Sequence, residues 1–407
     1  MNETAFNEVA GWVTEAGLIG RTETELMAGF CRRLADAGVQ LARSLVILDT
    51  LHPIYEGRAF RWRADAADAL EVLDYGRTNE GEAAENWRRS PFFHLLQSGG
   101  TELRRHLAVG DPADFPTIAQ ARDEGATDYL VLVHRFAAEA VIGEMDCVYS
   151  SWWSDAPGGF GEDSVVALRR LAPFLKLALK AAALARMAET LAQTYLGRDP
   201  ARRVMSGRIA RGVAEKIGAV LWYSDLHGYT QISDHSPPEH IIPLLNDYAE
   251  VVVSAVHGHG GDVLKLVGDG TLAIFAAENR EQACRAALTA AGGVRKGVVK
   301  LNEKRAGIGL PVSQVYLALH VGDVFYGNIG SKDRLDFTII GPAVNEVSRI
   351  LAMSRSVEQD LLLSSSFAAA LGSEMRNRLV SVGRYALRGV AQPQELFIPE
   401  PDFHSPR

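Results

Sequence analysis

Cysteine is scarce. Cys31, Cys147 and Cys284 lie more than a hundred residues apart, which offers neither a zinc motif nor a framework of bridges. The spacing predicts idle thiols in a reducing, cytoplasmic compartment. Long hydrophobic runs are missing too. No window approaches the ~18 charge-free apolar residues of a membrane span. The most apolar helical stretch, Val165 to Leu191, carries Arg169, Arg170, Lys176, Lys180, Arg186 and Glu189. At the N-terminus no basic stretch precedes an apolar run, so no signal peptide is expected. Positive charge is not in excess: 42 Lys and Arg stand against 50 Asp and Glu, a formal net charge of −8. That argues against coating a polyanion, and no nucleic-acid partner is expected. Internal repeats and low-complexity segments are absent. What remains is an ordinary globular composition, 47% apolar and 23% charged. At roughly 100–200 residues per domain, 407 residues predict two or three domains.

The first half reads as mixed α and β. Leu26, Phe30 and Leu34 repeat every four residues within Thr22 to Ala37, which predicts a helix. Ser44 to Leu51, Tyr129 to Phe136 and Ala140 to Trp153 are strand-like, and a long helix follows the turn at Asp155-Ala156-Pro157-Gly158-Gly159. The order loosely resembles that of GAF-type small-molecule sensor domains, over residues 1–165. His52, His94, His106 and His134 are lone histidines, better read as surface or core residues than as haem ligands.

Residues 166–212 form the expected linker. Phe174, Leu177, Ala181, Leu184, Ala188, Leu191 and Tyr195 alternate at spacings of three and four, which makes an a/d seam. Two readings stay open: an amphipathic helix lying on its own domain, or a parallel coiled coil that pairs two chains. Gly197-Arg198-Asp199-Pro200 ends the helix, and a polar, basic stretch runs from Ala201 to Lys216.

From Ile217 the pattern sharpens. An apolar run ends in Ser224-Asp225. Ser236-Pro237-Pro238-Glu239 reads as a capping box with proline at the first helical position. The helix that follows has one apolar face and should kink at Pro243. Asp262 to Val267 and Thr271 to Ala276 flank Gly268-Asp269-Gly270 as a hairpin. Helix Arg280 to Val298 and strand Val312 to His320 complete β-α-β-β-α-β, a ferredoxin-like α+β unit.

In that fold the two central strands are neighbours, so Asp225 and Asp269 can point at one spot. Two carboxylates at strand ends are costly without a cation. Mg²⁺ suits them, because it completes its shell with phosphate and water. The turn Leu226-His227-Gly228-Tyr229-Thr230 offers backbone N–H groups to a triphosphate.

Five blocks resemble the catalytic domain of class III nucleotidyl cyclases, in family order over roughly Ile217 to Pro399. They are Tyr223 to Thr230; Lys265-Leu266-Val267-Gly268-Asp269; His320 to Val324 with Gly327 to Gly330; Asp336 to Arg349; and Leu387-Arg388-Gly389 with Glu395-Leu396-Phe397. Departures are mild: Leu226 and Tyr229 replace the usual isoleucine and phenylalanine, and Pro342 and Glu346 are less usual.

The resemblance implies a catalytic domain at 213–400 and two Mg²⁺ ions, or Mn²⁺, per active site. Asp225, Asp269 and the carbonyl of Leu226 would hold them. Gly228, Tyr229 and Thr230 would cradle the triphosphate. Lys265 and Thr338 would read the adenine edge; guanylate-specific relatives carry an acidic residue at the lysine position, so Lys265 argues for ATP. Asn345 would orient the ribose, Arg349 would stabilise charge developing on the α-phosphate, and Arg334 would meet the terminal phosphates. The family also implies a homodimer with shared sites, here under an unidentified small-molecule or protein signal acting on residues 1–165. An adenylate cyclase is the expectation. A guanylate cyclase, or a catalytically weak nucleotide-binding scaffold, is the alternative. A diguanylate cyclase is excluded, since Gly260-Gly261-Asp262 continues with Val263-Leu264 rather than an acidic-aromatic pair.

Overall fold

The computed structural model describes residues 1–66, 70–137, 141–143, 145–390 and 392–400. They form two compact units, Met1–Leu191 and Ala192–Arg407.

The first unit opens with α1 (Glu3–Leu18) and α2 (Glu23–Asp36). Thr22 caps α2 through a full capping box with Glu25, which satisfies two otherwise orphaned N–H groups. The order continues β1 (Arg43–Asp49), β2 (Gly57–Arg63), β3 (Leu70–Tyr75), α3 (Gly81–Arg88), α4 (Pro91–Ser98), β4 (Glu102–Arg105), α5 (Pro116–Asp123), β5 (Asp128–Arg135), β6 (Cys147–Ser154) and α6 (Glu162–Leu196). The six strands make one sheet in the order β3-β2-β1-β6-β5-β4, antiparallel at every junction. Alternation along the strands divides the core in two. Val46, Leu48, Phe60, Trp62, Leu130 and Trp152 face α1, α2 and α6. Leu103, Val131, Val133, Tyr149 and Trp153 face α4 and α5. Ala140 and Glu144, in the last strand predicted from the sequence, lie outside the described residues.

Helix α6 uses its two faces differently. Leu168, Leu171, Leu175, Leu179, Ala183 and Met187 are buried in its own unit. The predicted seam lies on the other face, with Phe174 41%, Leu177 71% and Tyr195 81% exposed. Pro173 sits inside the helix without ending it.

After the break at Gly197 comes α7 (Arg198–Met205), so the first part of the polar, basic stretch is helical. Then come β7 (Ala214–Leu226), α8 (Tyr229–His235), α9 (Pro238–Gly258), β8 (Asp262–Val267), β9 (Gly270–Ala276), α10 (Arg280–Gly307), β10 (Val315–Gly330), β11 (Leu335–Ile340), α11 (Pro342–Val357), β12 (Leu361–Ser364), α12 (Ser365–Ala370), α13 (Ser373–Arg376), β13 (Leu379–Tyr385) and β14 (Gln394–Pro399). The order β10-β7-β9-β8 within the sheet is the arrangement the split β-α-β-β-α-β pattern predicts. Helices α9 and α10 cover one face through Leu244, Tyr248, Cys284 and Leu288. Helix α11 covers the other through Ala343, Val347 and Ile350.

One local expectation is corrected. The Ser236 side chain makes no cap bond; α9 begins at Pro238 with Pro237 at its N-cap. The two residues after Ser236 are prolines, which offer no N–H to cap. Helix α9 runs on through Pro243, whose ring removes one i−4 hydrogen bond.

One buried cation stands out in the first unit. Lys176, 3% exposed, donates to the Leu132 carbonyl at 2.9 Å and contacts His134 Nδ1 at 2.8 Å. Burial pulls its pKa down to about 7, and burial followed by the Lys176 charge holds His134 at about 4. Protonated Lys176 therefore weighs against the folded state. That cost is fully present below pH 7 and fades as pH rises toward the unfolded value near 10.5. Between pH 7 and 9 wild type should gain roughly 2 kcal/mol more than Lys176→Met does, read by chemical denaturation of both proteins at each pH. Parallel pH profiles would show that Lys176 is not charged at neutral pH at that cost.

Candidate functional site

Asp225 sits at the end of central strand β7, opposite Tyr316 of β10. Asp269 lies in the turn between β8 and β9, where Val267 pairs with Gly270. Strand β9 also pairs with β7, which brings the turn beside Asp225. Gly270 is needed for that approach: a Cβ there would meet the Ser224 carbonyl at 3.0 Å. The Leu226 N–H donates to Asp225 Oδ1 at 3.1 Å and to Asp269 Oδ2 at 3.3 Å. Burial first, and then contact with the Asp269 carboxyl, push the Asp225 carboxyl well above the ordinary carboxylate range. A cavity of about 200 Å³ opens beside both, lined also by Leu226, Asn246 and Thr271.

The donor set fits a hard divalent cation. Two converging carboxylates and a strand-end carbonyl leave positions for phosphate oxygens and water. Among the described residues no group of three or more His, Cys, Asp or Glu converges, so the protein offers a partial shell of the kind a phosphate-bearing ligand completes. His227 does not join it. Its N–H donates to the Gln314 carbonyl, its own carbonyl accepts from Ser313, and its ring packs 4.8 Å from Tyr316.

A second group forms between β8 and β11. Lys265 pairs with Asp336 through Nζ and Oδ2. Strand alternation places Asp336 and Thr338 on one face of β11, while Phe337 and Ile339 are buried on the other. The ion pair thus sets Lys265 on the face that carries Thr338. Asp336 falls within one of the five resembling blocks, where the sequence alone gives it no role. Its partner is 71 positions away, so only the sheet order reveals the pair.

The third group lies on α11. Asn345 and Arg349, one helical turn apart, line a cavity of about 590 Å³ with Gly341, Pro342 and Gly389. Neither side chain has a hydrogen-bond or ion-pair partner among the described residues, so their donors are available. That cavity contains none of Asp225, Lys265 or Asp269. Glu346 turns instead toward His320, at 3.6 Å. Arg334 is exposed in the turn joining β10 and β11 and does not line that cavity. Gly228, at φ +69°, opens the short helix α8, which begins with Tyr229 and Thr230. The structure thus gathers seven of the sequence candidates into three groups and leaves Gly228, Tyr229, Thr230 and Arg334 outside them.

Comparison with known proteins finds similarity in the second unit. Residues 214–399 match the family model described as the adenylate and guanylate cyclase catalytic domain. An uncharacterized protein of Mycobacterium tuberculosis is 34% identical over 208 residues, 50% of this chain and 37% of that one. Adenylate cyclase 1 of Rhizobium meliloti is 25% identical over 203 residues, 48% of this chain and 30% of that one. The chain spans about a third of the length of these relatives. The solved adenylyl cyclase CyaB of P. aeruginosa aligns with 48% of this chain and 100% of its own, at TM-score 0.43 and 21% identity.

Asp225→Asn should raise the melting temperature of the metal-free protein by a few degrees, since it relieves a buried charge facing another carboxylate. The same substitution should abolish the thermal stabilisation given by millimolar Mn²⁺. Scanning fluorimetry in EDTA and in Mn²⁺ reads both. A variant that loses stability in EDTA, or keeps the full Mn²⁺ shift, would contradict the assignment.

Proposed function

We propose that residues 214–399, a class III nucleotidyl cyclase catalytic domain, convert ATP to 3′,5′-cyclic AMP and pyrophosphate at sites shared by two copies of the chain. The observation that carries the choice of ATP is the placement of Lys265 and Thr338 on one face. An ammonium donates to adenine N1, and a threonine hydroxyl accepts from the exocyclic amine. Guanine presents a protonated N1 and a carbonyl there, which mismatches both. Asp336 holds the Lys265 ammonium in place.

Asp225, Asp269 and the Leu226 carbonyl hold the metals. Two bound Mg²⁺ or Mn²⁺ ions would supply the acidity that ionises the ribose 3′-hydroxyl and the charge that neutralises the triphosphate. The 3′-oxygen forms the new bond to the α-phosphorus as the bond to pyrophosphate breaks. Asn345 orients the ribose, and Arg349 donates to the α-phosphate oxygens as their charge grows. The backbone at Gly228, Tyr229 and Thr230 faces the triphosphate, with Arg334 at its terminal end. No covalent intermediate forms.

Two features support a shared site. The cavity of Asn345 and Arg349 lacks the aspartates. Apolar side chains also stand exposed in the same unit: Leu266 58%, Phe325 49% and Ile340 48%. In this reading the outward seam of α6 pairs two chains as a coiled coil. Residues 1–165 act as a GAF-like sensor whose signal reaches the catalytic units through 166–212.

The shared site has a direct test. Asp225→Ala and Arg349→Ala should each be inactive alone and should complement when mixed. Random exchange makes about half the dimers mixed, each with one intact site of two, so roughly a quarter of wild-type activity should return. Differently tagged chains confirm the exchange. Mixed dimers as inactive as their parents would show that each chain builds its own site.

Base reading is tested separately. Lys265→Glu with Thr338→Cys should lower kcat/KM for ATP and raise it for GTP, moving their ratio by about 100-fold or more. An unchanged ratio would show that these residues do not contact the base.

A further inference from the structure

One large cavity in the first unit belongs to none of the machinery above. It is a cavity of about 740 Å³ over β1–β3, with α3 and α4 as its side wall. Its walls are apolar and aromatic. Trp87 and Phe92 stand edge-on to Tyr149, with ring centroids 5.2 and 5.5 Å apart, and Leu45, Ile47 and Leu73 floor it. A space of this size suits an organic molecule of 10–20 non-hydrogen atoms rather than a hydrated ion.

Charge decides which molecule. Asp49, Glu56 and Asp146 all line the cavity. Tyr75 donates its phenol proton to Asp49. Glu56 accepts from the Thr78 N–H at 2.6 Å and from its hydroxyl. Asp146 accepts from the Cys147 thiol at 3.0 Å and from Tyr149 at 3.4 Å. These donors are amide, hydroxyl and thiol, all neutral, and Glu56 and Asp146 make no ion pair among the described residues. The phenols register the field: burial first, then Asp49 and Glu56, push Tyr75 upward, and burial, then Cys147, then Asp146 and Asp49, do the same to Tyr149. Arg61, on the outer wall, is engaged by Glu71 at 3.7 Å. Arg77 is exposed on the rim loop.

The polar end is also built into the sheet. Asp49, Gly57 and Tyr75 stand in one row across β1, β2 and β3. A Cβ at Gly57 would meet the Tyr75 hydroxyl at 2.2 Å. Only glycine lets the phenol cross β2 to reach the carboxylate.

We infer that this cavity binds a small organic cation. Its protonated amine or amidine lies among Asp49, Glu56 and Asp146, and its flat apolar body rests against Trp87 and Phe92. Carboxylates in an apolar-walled space oppose an anionic ligand, and a neutral one would leave the charges of Glu56 and Asp146 without an opposite charge among the described residues. Aromatic faces and edges add attraction for a cation's apolar frame.

The test uses matched probes with the full chain and needs no turnover. Tryptamine, tryptophol and indole-3-acetate share one ring system and differ in charge. The set 1-naphthylmethylamine, 1-naphthalenemethanol and 1-naphthoate does the same for a second ring. Calorimetry at pH 7 should show at least one amine binding about tenfold or more tighter than its alcohol, the scale of a charge-assisted hydrogen bond. The acids should bind more weakly than the alcohols. Rising salt should weaken the amine and leave the alcohol unchanged, a contrast that needs no mutant. Asp146→Asn with Asp49→Asn should remove the preference for the amine and spare affinity for the alcohol, which controls for folding. Equal affinity within each set, tighter binding of the acids, no binding by either amine, or an amine preference that survives the double substitution would each overturn the inference.

Discussion

Two carboxylates held face to face at neighbouring strand ends constrain the whole C-terminal unit. Asp225 and Asp269 share the Leu226 N–H, and burial together with their mutual contact disfavours the charge on Asp225. Metal-free, this arrangement works against folding. The sheet order β10-β7-β9-β8 enforces it nevertheless, since pairing of β9 with β7 leaves the β8–β9 turn nowhere else to lie. In the proposed reading this charge conflict is what a bound cation relieves.

The remaining groups make sense as complements to that pair. Lys265, Asp336 and Thr338 form a polar face that can discriminate a base. Asn345 and Arg349 form an unpartnered donor pair on α11, in a cavity without the aspartates. In the proposed reading a single chain carries two half-sites. The exposed apolar residues of the unit and the outward seam of α6 fit the proposed pairing of chains. Helix α6 buries one face in its own unit, and the exposed Phe174, Leu177 and Tyr195 are where the proposed pairing would take place.

How much was legible in the sequence differs between the halves. In the second unit each strand end carries a turn residue or a charge, so β7, β8, β9 and the Asp225–Asp269 convergence could be read directly. Helix α10 and strand β10 ran longer than their apolar runs, because α10 ends on a polar turn and β10 continues as a hairpin arm with β11. The Lys265–Asp336 pair was hidden by sequence distance. In the first unit the central strands β1, β5 and β6 were visible as apolar runs. Strands β2 and β3 were not, since charged residues such as Arg58, Arg61, Glu71 and Asp74 interrupt their alternation. The cavity over them was therefore invisible, although Asp49, Gly57 and Tyr75 were all on the page. Only the register of three strands makes them neighbours.

The most direct measurement is the product formed by the purified full chain with Mn²⁺ from ATP and, separately, from GTP, resolved by chromatography. The predicted result is 3′,5′-cyclic AMP and pyrophosphate in equal amounts, with kcat/KM for ATP at least about tenfold above that for GTP. Cyclic GMP as the preferred product would contradict the reading of Lys265 and Thr338. Neither cyclic nucleotide from a folded, dimeric protein would contradict the catalytic assignment itself.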